Sequence, residues 1–121
     1  MNDEIDNKSK ENLILNKTIE FSLQIIAFSD LLQKINYRII ANQLLRSGTS
    51  IGANVWEAQA PESRADFVHK MKIAAKEASE TEYWLILCNR SDNYPNCVEL
   101  LKEVKSIQRI ISKIISSSKN N

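Results

Sequence analysis

The sequence predicts an all-α protein folded as an antiparallel up-down-up-down four-helix bundle, and three observations predict it. The chain has 121 residues, the size of one domain around one core. It holds only 2 Gly and 2 Pro, too few for the many turns of a β-rich fold. Its apolar residues recur at alternating steps of three and four, the period of a helix seam. With 43% hydrophobic and 26% charged residues the body has globular composition. Residues 1–121 are read as a single domain, with 1–11 and 118–121 flexible.

In helix one, after a polar first dozen residues, the seam is Ile14, Thr18, Phe21, Ile25, Phe28, Leu32 and Ile35. Lys34-Ile35-Asn36 is a short connection, with Asn36 the expected N-cap of a helix from Tyr37 to about Ala58. So short a link makes the two helices antiparallel neighbours. Ala60-Pro61-Glu62-Ser63 breaks the chain again, and Ser63-Arg64-Ala65-Asp66 reads as a capping-box variant that starts helix three. That helix carries its seam on Phe67, Met71, Ala74, Ala78, Thr81, Leu85 and Cys88, and ends in the turn formers Asn89 to Pro95. Helix four runs from about Asn96 to Ser117 on Leu100, Leu101, Val104, Ile107, Ile111, Ile114 and Ile115.

A net charge of +1 gives no bulk attraction to nucleic acid or anionic lipid, so any such binding must come from a local patch. The segment Met1 to Asn7 has neither the basic nor the apolar region of a signal peptide. Every apolar run falls far short of the roughly 20 residues needed to cross a bilayer. The expectation is a cytoplasmic protein without a membrane partner, in which Cys88 and Cys97 are reduced, packed thiols.

Helix two is unusual. Its only charges are Arg38, Arg46 and Glu57, and its apolar arc continues from Tyr37, Ile40, Leu44, Ile51, Val55 and Ala58 round to Ala41, Leu45, Gly48, Gly52 and Trp56. Both glycines sit in mid-helix, where each costs about 1 kcal/mol against Ala. Something must approach that backbone closely. Tight packing within one bundle is one explanation. A subunit interface on Leu45, Gly48, Gly52 and Trp56 is the other, because the arc is wider than one bundle needs. The remaining strip, Gln43, Arg46, Ser50, Asn54 and Glu57, spans about 80° and has Ser and Asn at its middle, where a solvated face would carry Lys, Glu or Gln. With Glu77, Glu80 and Glu82 of helix three as counter-charges, it is expected to form a half-buried polar network bonded across helices.

The blocks Gln43 to Ala58, Ser63-Arg64-Ala65-Asp66-Phe67 and Lys76 to Leu85 also carry a resemblance. Together they resemble the four-helix-bundle family encoded by intervening sequences of bacterial 23S ribosomal RNA genes, once labelled S23 ribosomal proteins. Those bundles are similar to the accessory protein of diversity-generating retroelements, a ring-like pentamer that engages RNA and a reverse transcriptase. The resemblance implies a homo-oligomer, with a pentamer favoured, and RNA or a ribonucleoprotein as partner. Ala58 stands where many members have Gly, and the charge of +1 contrasts with the strongly basic retroelement relatives.

Enzyme chemistry finds few residues. Asp66 and His69 have the spacing of half a di-iron site, but the second half needs another histidine and the chain has 1. Cys88, Cys97 and His69 have no recognised zinc spacing, and no phosphate-binding glycine motif occurs. No metal or cofactor is expected. Arg64 to His69 resembles the R-x4-H pattern of the HEPN ribonucleases, which makes Arg64 and His69 the candidates of an alternative, RNA-cleaving reading. The favoured reading is a non-enzymatic, self-associating interaction module. Its candidate RNA contacts are Lys102, Lys105, Arg109 and Lys113, four cations within about 80° along some 16 Å of helix four.

Overall fold

The computed structural model describes residues 2–119, and among them the secondary structure is entirely helical. Four helices follow in order, α1 (Asn2–Lys34), α2 (Arg38–Ala58), α3 (Arg64–Arg90) and α4 (Val98–Lys119). Each packs against its neighbours in the chain and α1 closes on α4, so the molecule is a four-helix bundle.

Helix α1 begins earlier than the periodicity suggests, at Asn2. The first dozen residues contain neither Gly nor Pro, so no helix breaker stops the helix from extending beyond its packed seam. At the other terminus α4 runs through Ser118, which is buried with its hydroxyl donating to the Ile114 carbonyl at 2.7 Å. Met1, Asn120 and Asn121 lie outside the described residues.

Asn36 does not cap α2; it ends α1. It sits at φ 68°, in the left-handed region that Asn tolerates. Its N–H donates to the Gln33 carbonyl at 3.0 Å and that of Tyr37 to the Leu32 carbonyl at 2.9 Å. These two bonds are the Schellman arrangement that satisfies the last carbonyls of a helix. Tyr37 then stands at the start of α2 with no side-chain cap. The start of α3 follows expectation, the Ser63 hydroxyl accepting from the Asp66 N–H at 3.0 Å. The Asp66 carboxylate reaches one residue further back than in a capping box, accepting from the Glu62 N–H at 3.1 Å. Before α4, the Asn96 side chain accepts from the Val98 N–H at 2.9 Å and turns the chain after Pro95.

The predicted seams meet in the core, where Phe21, Ile25, Leu32, Leu44, Ile51, Met71, Leu85, Ile107, Ile111 and Ile114 are fully buried. Tyr37 stacks on Tyr94 with ring centroids 4.2 Å apart, joining the α1–α2 link to the α3–α4 loop. At Gly48 and Gly52 α1 approaches α2 closely. A Cβ on Gly48 would lie 2.8 Å from Cγ2 of Ile25, and one on Gly52 would lie 3.2 Å from both the Ser22 hydroxyl and the Thr18 carbonyl oxygen. Within the chain, then, both glycines serve helix packing.

Candidate functional site

The polar strip of α2 separates into parts. Arg46 donates to Glu77 at 3.3 Å, contacts Gln43, and forms an ion pair with Glu80, whose carboxylate also accepts the Trp84 indole N–H at 3.0 Å. Glu57 pairs with Lys70 at 2.9 Å, and this contact holds the Lys70 ammonium above its ordinary pKa. Ser50 and Asn54 do not cross to another helix. Ser50 donates to the Arg46 carbonyl at 2.6 Å and Asn54 to the Ser50 carbonyl at 2.9 Å, both along α2 itself. Such back-bonding is open to any short polar side chain in a helix, which is why the strip looked more cooperative than it is.

Gln43, Ser50 and Asn54 are half-buried as expected, whereas the Arg46 and Glu57 side chains are 51% and 55% exposed. Glu82 belongs elsewhere. It accepts from Gln108 at 3.2 Å and lies 3.9 Å from the Lys105 ammonium, so it joins α3 to α4. The buried polar contact between α2 and α3 is one that sequence reasoning missed, the Thr81 and Ser47 hydroxyls at 2.9 Å. Thr81 was legible as a seam residue; Ser47, beside Arg46, carried no separate signal.

Arg64 and His69 are both exposed on the first turns of α3. The Arg64 guanidinium donates to the Ser118 carbonyl at 3.0 Å and so satisfies the end of α4. Cys88 and Cys97 are free and buried. Burial, with Cys97 beside it, pushes the Cys88 thiol up to about 12, far from a reactive thiolate. Among the described residues no group of three His, Cys, Asp or Glu side chains converges as metal ligands. None of the described helices is long and apolar enough to cross a membrane.

The exposed surface is strongly divided. Of the eleven large hydrophobic side chains exposed among the described residues, nine lie on the first two helices and their link: Leu13, Ile19, Leu23, Ile26, Leu31, Ile35, Ile39, Leu45 and Trp56. Ile19, Leu23 and Ile26 follow one another at i, i+4 and i+7 along one line of α1, beside Ser22 with its hydroxyl at Gly52. Leu45 and Trp56 fall within about 40° of Gly52 round α2. These side chains therefore flank the α1–α2 contact. Leu45 and Trp56 were picked out by the width of the α2 arc. The α1 line was missed because its spacing repeats beside a stronger seam.

The α4 strip is exposed as well. Lys102 makes a weak i, i+3 pair with Glu99 at 3.5 Å, and Lys105 faces Glu82. Arg109 and Lys113 are exposed and, among the described residues, form no ion pair.

No curated protein matches the chain. A crystal structure of a protein with unknown function from the S23 ribosomal protein family of Bacteroides thetaiotaomicron VPI-5482 is similar at 38% identity with a TM-score of 0.81, covering 88% of this chain and 98% of that one. The family model described as 23S rRNA-intervening sequence protein matches residues 10–113, a span that includes all three blocks in which the resemblance was read. By that match and by its fold, the chain belongs to the 23S rRNA-intervening sequence protein family.

Proposed function

We propose that this chain is a non-enzymatic interaction module of the cytoplasm, an antiparallel up-down-up-down bundle that self-associates and presents a cationic side to RNA or a ribonucleoprotein. The up-down order is supported by which residues pair. Gln33, near the end of α1, bonds to Asn42 near the start of α2, and Gly52 further along α2 meets Thr18 earlier in α1. Similarly Arg46 pairs with Glu77 but Glu57 with Lys70, and Glu82 with Gln108 but Arg64 with Ser118.

The observation that carries the functional reading is the division of the surface. Ile19, Leu23 and Ile26 of α1 with Leu45 and Trp56 of α2, exposed beside one helix contact, are the kind of apolar surface that marks a protein contact. Four exposed cations, two of them without an ion-pair partner among the described residues, line α4 of a chain whose net charge is only +1. A pentameric ring, as the family resemblance suggests, would repeat the cationic strip in each subunit and raise weak single contacts to useful avidity.

RNA binding at low and moderate salt tests this. Counterion release makes affinity fall steeply with salt, and reversal of Lys105 and Arg109 to Glu abolishes it while leaving the fold intact. Undiminished binding after the double reversal contradicts the reading, and cleavage products that vanish with His69→Ala would favour the ribonuclease alternative.

A further inference from the structure

The cations of α4 have neighbours on α3. Lys72, Lys76, Ser79 and Tyr83 follow one another at steps of four, three and four, and all are exposed, while Met71, Ala74, Ala78 and Leu85 between them are buried. They form one outward line. Gln108 meets Glu82, and Arg64 meets Ser118, so the stretch of α3 from 64 to 82 lies beside α4 from 108 to 118. Lys72 and Lys76 are therefore level with Arg109 and Lys113 along the bundle. Among the described residues none of these four cations has an ion-pair partner. Glu82, on the side of α3 that meets α4, is half-buried, hydrogen-bonded to Gln108 and offset by Lys105, and Glu80, one turn from Lys76, is taken up by Arg46 and Trp84.

At the end of the α3 line Tyr83 is 54% exposed, its ring in a T-shaped contact with Trp84 with centroids 5.2 Å apart. Trp84 is in turn held by its bond to Glu80. The cations span about 6 Å of each helix and Tyr83 stands about 10 Å beyond Lys76, so the line has the parts a single nucleic-acid strand needs: charges for phosphates and a flat face for one base.

We propose that the paired outer faces of α3 and α4 form one binding site for single-stranded nucleic acid, with phosphates over Lys72, Lys76, Arg109 and Lys113 and a base stacked on Tyr83. This rests on the RNA-binding reading above and adds to it the second helix and the aromatic contact. An acidic protein surface would use the same cations but would have no need of the ring.

The test is fluorescence anisotropy with a labelled single-stranded RNA and the DNA strand of the same sequence, at about 50 mM salt and above. The variants are Lys72→Glu with Lys76→Glu, the neutral pair Lys72→Gln with Lys76→Gln, and Tyr83→Ala, each checked for helicity by circular dichroism. The lysine reversal is expected to weaken binding more than tenfold and the neutral pair to reduce the salt dependence. Tyr83→Ala should lose about fivefold or more, the lower end of what one stacked base is worth, with the salt dependence unchanged. Equal binding of RNA and DNA and a preference for RNA both support the site, the second adding recognition of the 2′-hydroxyl. Binding that survives all the α3 variants but is lost with Lys105 and Arg109 reversed overturns this proposal and leaves the α4 reading standing. Absence of binding by the unaltered protein overturns both.

Discussion

Replacing Gly48 by Ala tests the close approach of α1 and α2. The new methyl carbon would start 2.8 and 2.9 Å from Cγ2 and Cγ1 of Ile25, well inside the roughly 3.5 Å of comfortable carbon contact. Ile25 is 0% exposed and β-branched, so in a helix it is held to one χ1 well and cannot swing aside. The strain should cost about 1 to 3 kcal/mol, against a gain of about 1 kcal/mol from the better helix propensity of Ala. The net expectation is a loss of about 1 kcal/mol. Gly52→Ala meets softer neighbours. The Ser22 hydroxyl at 3.2 Å can rotate away, although the Thr18 carbonyl oxygen at 3.2 Å is fixed in α1. Its net effect should lie within about 0.5 kcal/mol of zero. Denaturant unfolding at one fixed protein concentration reads both changes as midpoint shifts at constant slope. If Gly48→Ala instead stabilises by about 1 kcal/mol, as a free mid-helix glycine would, α1 and α2 do not approach there and the packing account is wrong.

Other consequences are as direct. Thr81→Val should cost about 1 kcal/mol, and a double-mutant cycle with Ser47→Ala should show favourable coupling, since the two hydroxyls meet in the core at 2.9 Å. Arg46→Met should cost less than about 1 kcal/mol, and less still at high salt, because that side chain is 51% exposed. Cys88 should resist alkylation at mildly alkaline pH in the folded protein and react on unfolding. Its pKa is raised to about 12, so the stability that this thiol contributes is complete below its unfolded pKa and is lost only as pH rises from there towards 12.

The fold was legible because each seam is regular and each break is strong. Pro61 and the Asn89 to Pro95 run mark real ends, and the Ser63 cap forms as its spacing implies. The link at Asn36 was misassigned because Asn serves equally as an N-cap and as a left-handed helix end, and only the backbone bonds distinguish the two. The glycines announced a close approach but not its partner. A glycine in a helix looks the same from sequence whether Ile25 of its own chain or another subunit lies against it. The polar strip was overread for a similar reason: Ser50 and Asn54 could bond across helices, and the carbonyls one turn back in α2 were nearer. The apolar line of α1 was hidden beneath the seam, whereas the α4 cations were visible because no acid shares their strip.

The central claim is that the exposed surface of this bundle, with α1 and α2 as its apolar side, joins one copy to another. Multi-angle light scattering of the full chain at micromolar concentration tests it most directly. The account predicts a mass that is a multiple of 13.8 kDa, five copies being favoured by the family resemblance, and a return to single-chain mass with helicity intact when Leu23 and Trp56, exposed by 56% and 63%, are changed to Glu. A mass near 13.8 kDa for the unaltered protein, or an assembly indifferent to both substitutions, contradicts it.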